Sequence, residues 1–242
     1  MSKLSKRLFL SFTIGICIML FVLLAVLTTI NNELKIDTLI SNWLIKISSN
    51  GAIEFFKIFT YVGSIYTLII IALACLFLKK KAYGITAIIT LVFASLFNVL
   101  VKYIIRRDRP TNMAVEEIGF SFPSAHAMLT LVMLGFVIFI VIKLIKKKWL
   151  KIILSVLLSV IILFVGLSRV ILGVHYFTDV LAGWIIAIPI LIVAIVFCNY
   201  LLKNPVKTNK RLMWFYMLWL NLKLFNEISL FFSCKKHFFM LK

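Results

Sequence analysis

The sequence predicts an all-α membrane protein: six transmembrane helices with both termini on the inner side, an interfacial helix on the outer face, and a further C-terminal tail helix of unassigned placement. Three observations predict it. Of the 242 residues, 63% are hydrophobic and only 14% charged, where a soluble domain averages about 45–50% apolar and about 25% charged. The mean hydropathy is +1.12. Six apolar stretches approach or exceed the roughly 20 residues that a helix needs to cross a bilayer. Together these exclude a soluble globule, a disordered chain and a disulfide scaffold.

The first span is read at Leu8–Ile30, behind the basic residues Lys3, Lys6 and Arg7. Its apolar run exceeds the roughly 7–15 residues of a signal peptide core, so an uncleaved helix is expected. Next, Ile36, Leu39, Ile40, Trp43 and Leu44 recur with helical period, and Trp43 suits a helix lying at the membrane surface. Spans two to six are read at Ile58–Leu78, Ala82–Val101, Ala125–Ile142, Ile152–Leu172 and Val180–Leu202. Pro189 falls inside the sixth, where it can kink the helix and neighbouring helices tolerate it. Residues 1–202 are expected to form the membrane domain and 203–242 a basic, aromatic tail. Within that tail, Met213–Phe232 is apolar but interrupted by Asn221, Lys223, Asn226 and Glu227. It is read as an interfacial helix in preference to a seventh span or a loosely selected extension.

Charge sets the orientation. With the N-terminus inside, 19 of the 27 Lys and Arg fall on the inner side and 8 on the outer, as the positive-inside rule requires. The same rule accounts for the net charge of +19 without nucleic acid, for which no motif is present. Cys17, Cys75, Cys198 and Cys234 show no metal-ligand spacing.

Chemistry-bearing residues gather at the outer ends of spans. Lys102, Arg106, Arg107, Asp108, Arg109 and Pro110 close the third. Pro123, Ser124, Ala125 and His126 open the fourth. Ser168, Arg169, His175 and Asp179 join the fifth to the sixth. Alone, the basic residues read as interfacial anchors, Ser124 as a helix cap, Ser168 as a hydroxyl back-bonded to its helix, and His175/Asp179 as a buried structural pair. Concentrated on one side of an apolar protein, they read as an anion pocket. Lys102, Arg109 and Arg169 supply fixed positive charge matched to phosphate oxygens. Pro123 and Ser124 sit where a helix N-terminus presents free N–H groups. His175 and Asp179 are four apart, on one face if the helix begins near His175. Asp179 then fixes the imidazole tautomer and leaves the other nitrogen as nucleophile. His126 is placed to protonate a leaving alkoxide. Arg106, Arg107 and Asp108 are expected only to shape the pocket rim.

The pattern resembles the type 2 phosphatidic acid phosphatase family, which shares its site with bacterial acid phosphatases and vanadium haloperoxidases. The resemblance rests on Lys102 with six residues before Arg109-Pro110, on Pro123-Ser124-Ala125-His126, and on Ser168-Arg169, five residues, His175, three residues and Asp179. It implies His175 as nucleophile, Asp179 as its orienting group, His126 as acid, and Lys102, Arg109, Ser124 and Arg169 on the phosphate oxygens, with Ala125 as a possible backbone donor and Ser168 and Pro123 in support. Ala125 stands where the family usually has Gly; it keeps its N–H but adds a methyl group. No cofactor or metal is implied. The expected substrate is a lipid or prenyl phosphate: phosphatidic acid, phosphatidylglycerophosphate or undecaprenyl pyrophosphate, cleaved at the outer face of a bacterial plasma membrane. Two rival readings are a non-catalytic lipid-phosphate binding or transport protein and, using the same clamp for vanadate, a haloperoxidase. Oligomeric state is not legible.

Overall fold

The computed structural model describes residues 3–111 and 113–204. The expected tail helix lies outside the described residues. Among them there are eight α-helices and no strand: α1 (Lys3–Ile30), α2 (Lys35–Ile47), α3 (Asn50–Phe59), α4 (Ile65–Ala74), α5 (Ala82–Ile105), α6 (Ala125–Leu144), α7 (Lys148–Ile171) and α8 (Phe177–Lys203). Five of these are long and apolar enough to span a membrane, and α3 with α4, bent by 44°, makes a sixth if the pair is one span.

The second expected span, Ile58–Leu78, starts earlier than expected and is broken at this bend. The helix begins at Asn50, capped by Ser49, whose side chain accepts from the Ala52 N–H. After a 3₁₀ turn over Thr60–Gly63 the chain restarts at Ser64, whose hydroxyl caps α4 by accepting from Thr67 N. An N-cap residue has extended backbone angles, so a mid-span cap forces a change of direction. Gly63 lies at this corner. A Cβ there would strike Val165 and Thr130 and approach His126 to 3.3 Å, so the close approach of the corner to α6 and α7 requires glycine.

The other spans fall close to expectation. α8 runs through Pro189 as one helix. α2 covers the amphipathic segment, with Leu39 and Trp43 exposed and Leu44 buried. Lipid is as apolar as leucine, so close packing holds the bundle more than apolar burial does. Accordingly α6 packs most extensively against α7 and α5. Gly135 meets Leu191, Gly166 meets the Trp184 ring, and a Cβ at Gly183 would lie 2.9 Å from the Ser124 carbonyl. This last contact sets α8 against the start of α6.

α5 ends with Arg106 at φ 53°, in the left-handed region. Its N–H reaches the Lys102 carbonyl at 2.9 Å and its Nε donates to Tyr103 O at 3.0 Å. The cap reverses the chain so that Arg107 and Arg109 point back into the bundle. A β-branched residue is worst suited to this conformation. Arg106→Val is expected to cost about 1–2 kcal/mol, read as a lowered Tm in detergent, while Arg106→Gly is tolerated.

Candidate functional site

A cavity of ≈ 440 Å³ opens where α5, α6 and the α7–α8 connection meet. Lys102, Arg109, Glu117, Ala125, His126 and His175 line its polar end, and Ile65, Val99 and Leu129 form an apolar wall. Each polar group is positioned by local structure. Lys102, in the last turn of α5, donates to the carbonyls of Phe120 and, at 3.3 Å, Ser121. Arg109 donates from Nη1 to Val174 O at 2.7 Å and from Nε to Gly119 O at 2.9 Å. Asn98, buried in α5, donates to Pro123 O at 3.2 Å, fixing the turn into α6.

His175 does not lie within α8, which starts two residues later. The pairing with Asp179 survives for a different reason. The Asp179 carboxylate turns back toward the helix start, where Oδ2 accepts from the Tyr176 N–H at 3.0 Å, the reciprocal half of a capping box. In that position Oδ2 lies 3.4 Å from His175 Nδ1. Arg109 Nη1 is 3.4 Å from Nε2. Guanidinium only donates, so the network assigns the proton to Nδ1 and a lone pair to Nε2. Burial, then the positive charges of Lys102, Arg109 and Arg169 and the neighbouring His126, pushes the His175 pKa well below its ordinary 6.5. A neutral imidazole results.

The remaining expected residues divide. Arg169 is fully buried; it donates to Thr60 Oγ1 at 2.9 Å and pairs with Glu117, while its Nε has no protein partner. Ser124 is fully buried, caps α6 through the Ala127 N–H, and donates its own N–H to Asp179 O at 3.0 Å. Its hydroxyl oxygen accepts in the cap, at 3.5 Å, which leaves the O–H to donate. Ser168 back-bonds to Val165 O at 2.7 Å. Ala125 opens α6 and lines the cavity with His126.

One expectation is corrected. Arg107 does not shape a rim: it is 2% exposed, and the left-handed turn at Arg106 sends it inward.

Glu117 was not anticipated. Its carboxylate bridges Arg169 and, at 3.5 Å, Arg109. Burial opposes its ionisation, but Arg169 and then Arg109 outweigh this and hold its pKa below the usual carboxylate range. It thus sits between the two arginines that the sequence analysis expects on phosphate oxygens. No spacing rule relates a loop carboxylate to arginines on either side of it in the chain; the one available signal was an acidic pair, Glu116-Glu117, between two basic motifs. An incoming phosphate competes with it. Glu117→Gln is therefore expected to tighten competitive inhibition by inorganic phosphate about 5- to 50-fold, the scale of one charge-assisted bond. An unchanged inhibition constant would show that phosphate binds without displacing Glu117.

The PAP2 superfamily matches residues 83–203, which include all three motifs. Phosphatidylglycerophosphatase B of Bacillus subtilis (strain 168) is 33% identical over 174 residues, covering 68% of this chain and 84% of that one. The chain belongs to the PAP2 superfamily. With that, its expected enzyme class, a phosphatase, is met. An undecaprenyl-diphosphatase of Sulfolobus acidocaldarius is 33% identical over 122 residues, 48% of this chain and 55% of that relative. Among solved structures, the transmembrane PAP2 type phosphatidylglycerolphosphate phosphatase from Bacillus subtilis superposes with a TM-score of 0.70 at 26% identity, covering 82% of this chain and 99% of that one. Aquifex aeolicus LpxE shares the fold, with a TM-score of 0.59 at 19% identity, covering 69% and 98%. The chain is thus a multi-pass membrane phosphatase, with helices and no strand among the described residues.

Proposed function

We propose that this PAP2 phosphatase removes the terminal phosphate from a lipid or prenyl phosphate at the outer face of a bacterial plasma membrane, through a phosphohistidine on His175. The observation that carries the reading is the His175 imidazole, with Nδ1 toward Asp179 and the Nε2 lone pair toward the cavity and Arg109. In the first step Nε2 attacks phosphorus in line. The Nε2–P bond forms as the P–O bond to the lipid breaks, and His126 gives its proton to the departing oxygen. In the second step water attacks phosphorus, its oxygen bonding as the Nε2–P bond breaks and returns its electron pair to the imidazole, while His126 takes a proton from the water and inorganic phosphate leaves. Lys102, Arg109 and Arg169 stabilise charge on the transferring oxygens, with N–H groups at the start of α6, including that of Ala125, directed toward them. The Ser124 hydroxyl donates to a phosphate oxygen while its oxygen caps α6, and Pro123 and Ser168 act by shaping that helix start and the end of α7.

The apolar wall of Ile65, Val99 and Leu129 suits the first carbons of an acyl or prenyl tail, with the headgroup among the basic residues. Phosphatidylglycerophosphate, undecaprenyl pyrophosphate and phosphatidic acid all fit this division, the first two matching the names of the relatives. Residues 1–202 form the catalytic domain in this reading, with both termini inside, α2 on the outer surface, and 203–242 as an accessory tail.

The test is phosphate release by detergent-purified protein, with EDTA present, from these three lipids and a soluble phosphomonoester. Release in EDTA from at least one lipid is expected. Absence of release from all four would move the assignment to a non-catalytic anion site.

A further inference from the structure

Arg107, Asp37 and Asp179 form a buried ionic triad in which every side chain is fully buried. Arg107 Nη1 donates to Asp179 Oδ1 at 2.5 Å and to Thr178 Oγ1 at 2.8 Å. Its Nη2 donates to Asp37 Oδ2 at 2.8 Å, its Nε to Asn32 O at 2.8 Å, and its plane covers the Tyr176 ring at 4.1 Å. Asp37 in turn accepts from the Thr178 N–H at 2.8 Å and the Thr178 hydroxyl at 2.9 Å. It thereby caps the N-terminus of α8 from another helix, satisfying an N–H that α8 cannot satisfy itself. Packing seats α2 there: Leu44 is buried in a cluster with Ala127, Val170, Ile171 and Val180.

Burying three ionised groups is costly unless geometry and hydrogen bonds compensate, and here Arg107 bonds both carboxylates while Thr178 and the Tyr176 N–H donate to them. The charge count then matters for the reaction. As Nε2 bonds to phosphorus, the imidazole keeps its Nδ1 proton and gains positive charge, which Asp179 must stabilise. Arg107 alone would cancel the Asp179 charge and repel the developing imidazolium. Asp37 neutralises Arg107, so Asp179 retains a net charge directed at His175.

We infer that Asp37 and Arg107 are positioning residues for the phosphoryl transfer, and that α2, which precedes the region matched to the superfamily, belongs to the catalytic unit. Arg107 holds Oδ1 so that Oδ2 faces the imidazole, and Asp37 holds Arg107 and balances its charge. The inference rests on His175 being the nucleophile. Because the interaction strengthens as charge develops, losing it lowers kcat and leaves KM unchanged.

The experiment uses the full chain in mixed micelles with dioctanoyl phosphatidic acid. Asp37→Asn is expected to lower kcat about 10- to 100-fold, with KM and inhibition by inorganic phosphate within about twofold of wild type. Combined with Asp179→Asn it should add little further loss, since both act through one carboxylate. Thr178→Val, nearly isosteric, removes only the bridging hydroxyl and is expected to lower kcat about 3- to 10-fold; it keeps the inference testable if Asp37→Asn fails to fold. Unchanged kcat in a folded variant, a rise in KM alone, or full additivity with Asp179→Asn would overturn it. His175→Ala runs alongside: wild-type activity in that variant would remove the nucleophile assignment, a failure separate from failure of the positioning role.

Discussion

His175→Ala is expected to abolish lipid phosphate hydrolysis, with a loss of at least about 10⁴-fold in kcat, while leaving the protein folded. Both halves follow from the geometry. The imidazole is the group at the cavity with a lone pair held toward it by its hydrogen-bond network, so its removal leaves the clamp without a nucleophile. The fold survives because the buried charge near His175 does not depend on it: Asp179 keeps Arg107 and the Tyr176 N–H as partners. The void left is lined by groups that water can satisfy. The measurement is phosphate release beside trapping of a radiolabelled, acid-labile, base-stable phosphoenzyme, with thermal unfolding as the control for folding. Residual turnover above about 1% with a trapped phosphoenzyme would place the nucleophile elsewhere. The same environment fixes a titration result. Burial and the surrounding positive charges hold the His175 pKa well below the ordinary 6.5, so in nitrogen NMR of histidine-labelled, substrate-free protein its imidazole should take up its proton at lower pH than an ordinary histidine does. A group whose charged form is disfavoured by burial and like charge takes up its proton only at lower pH.

The parts of this molecule that were legible in the sequence are those in which one residue type in one place has few uses. Apolar runs of bilayer length placed five spans to within four residues at each end, because an unbroken apolar run of that length satisfies its backbone in lipid only as a helix or in a closed barrel. Histidines and arginines at the ends of those runs were conspicuous for the same reason. The bend at Ser64 was hidden because a serine within an apolar run carries no periodic signal; its capping role appears only with the Thr67 N–H in place. Arg107 was misread because its direction depends on the left-handed conformation of Arg106, and an arginine at a C-cap is not a glycine. Asp37 carried a signal that was not used: it stands seven residues before the buried Leu44, on the same helical face, which is an unusual place for an acid. Glu117 lies in a loop, where no period constrains direction, and only tertiary structure brings it between Arg109 and Arg169.

Replacing His126 with Asn is expected to slow hydrolysis of phosphatidic acid by about 10²- to 10⁴-fold, and to do so unequally across substrates. An acid is needed in proportion to the basicity of the oxygen that leaves. The diacylglycerol alkoxide is strongly basic and requires its proton during P–O cleavage; a nitrophenolate leaves readily without one. For p-nitrophenyl phosphate the first step should therefore be nearly spared. The second step has no such escape, because the attacking water must lose a proton whatever the first leaving group was. His126, at the opening of α6 and lining the same cavity as His175, is the group proposed to serve both steps. The combined consequence is a burst: His126→Asn should release about one equivalent of nitrophenol rapidly, then turn over slowly while the phosphohistidine accumulates. Phosphatidic acid should give no burst, since its own cleavage becomes limiting. Equal slowing of both substrates, with no burst from either, would assign His126 to holding the phosphate instead of moving a proton. A burst with both would place the acid elsewhere and leave His126 as the base alone. The contrast between the two leaving groups thus separates proton transfer from binding at a residue whose position alone permits either.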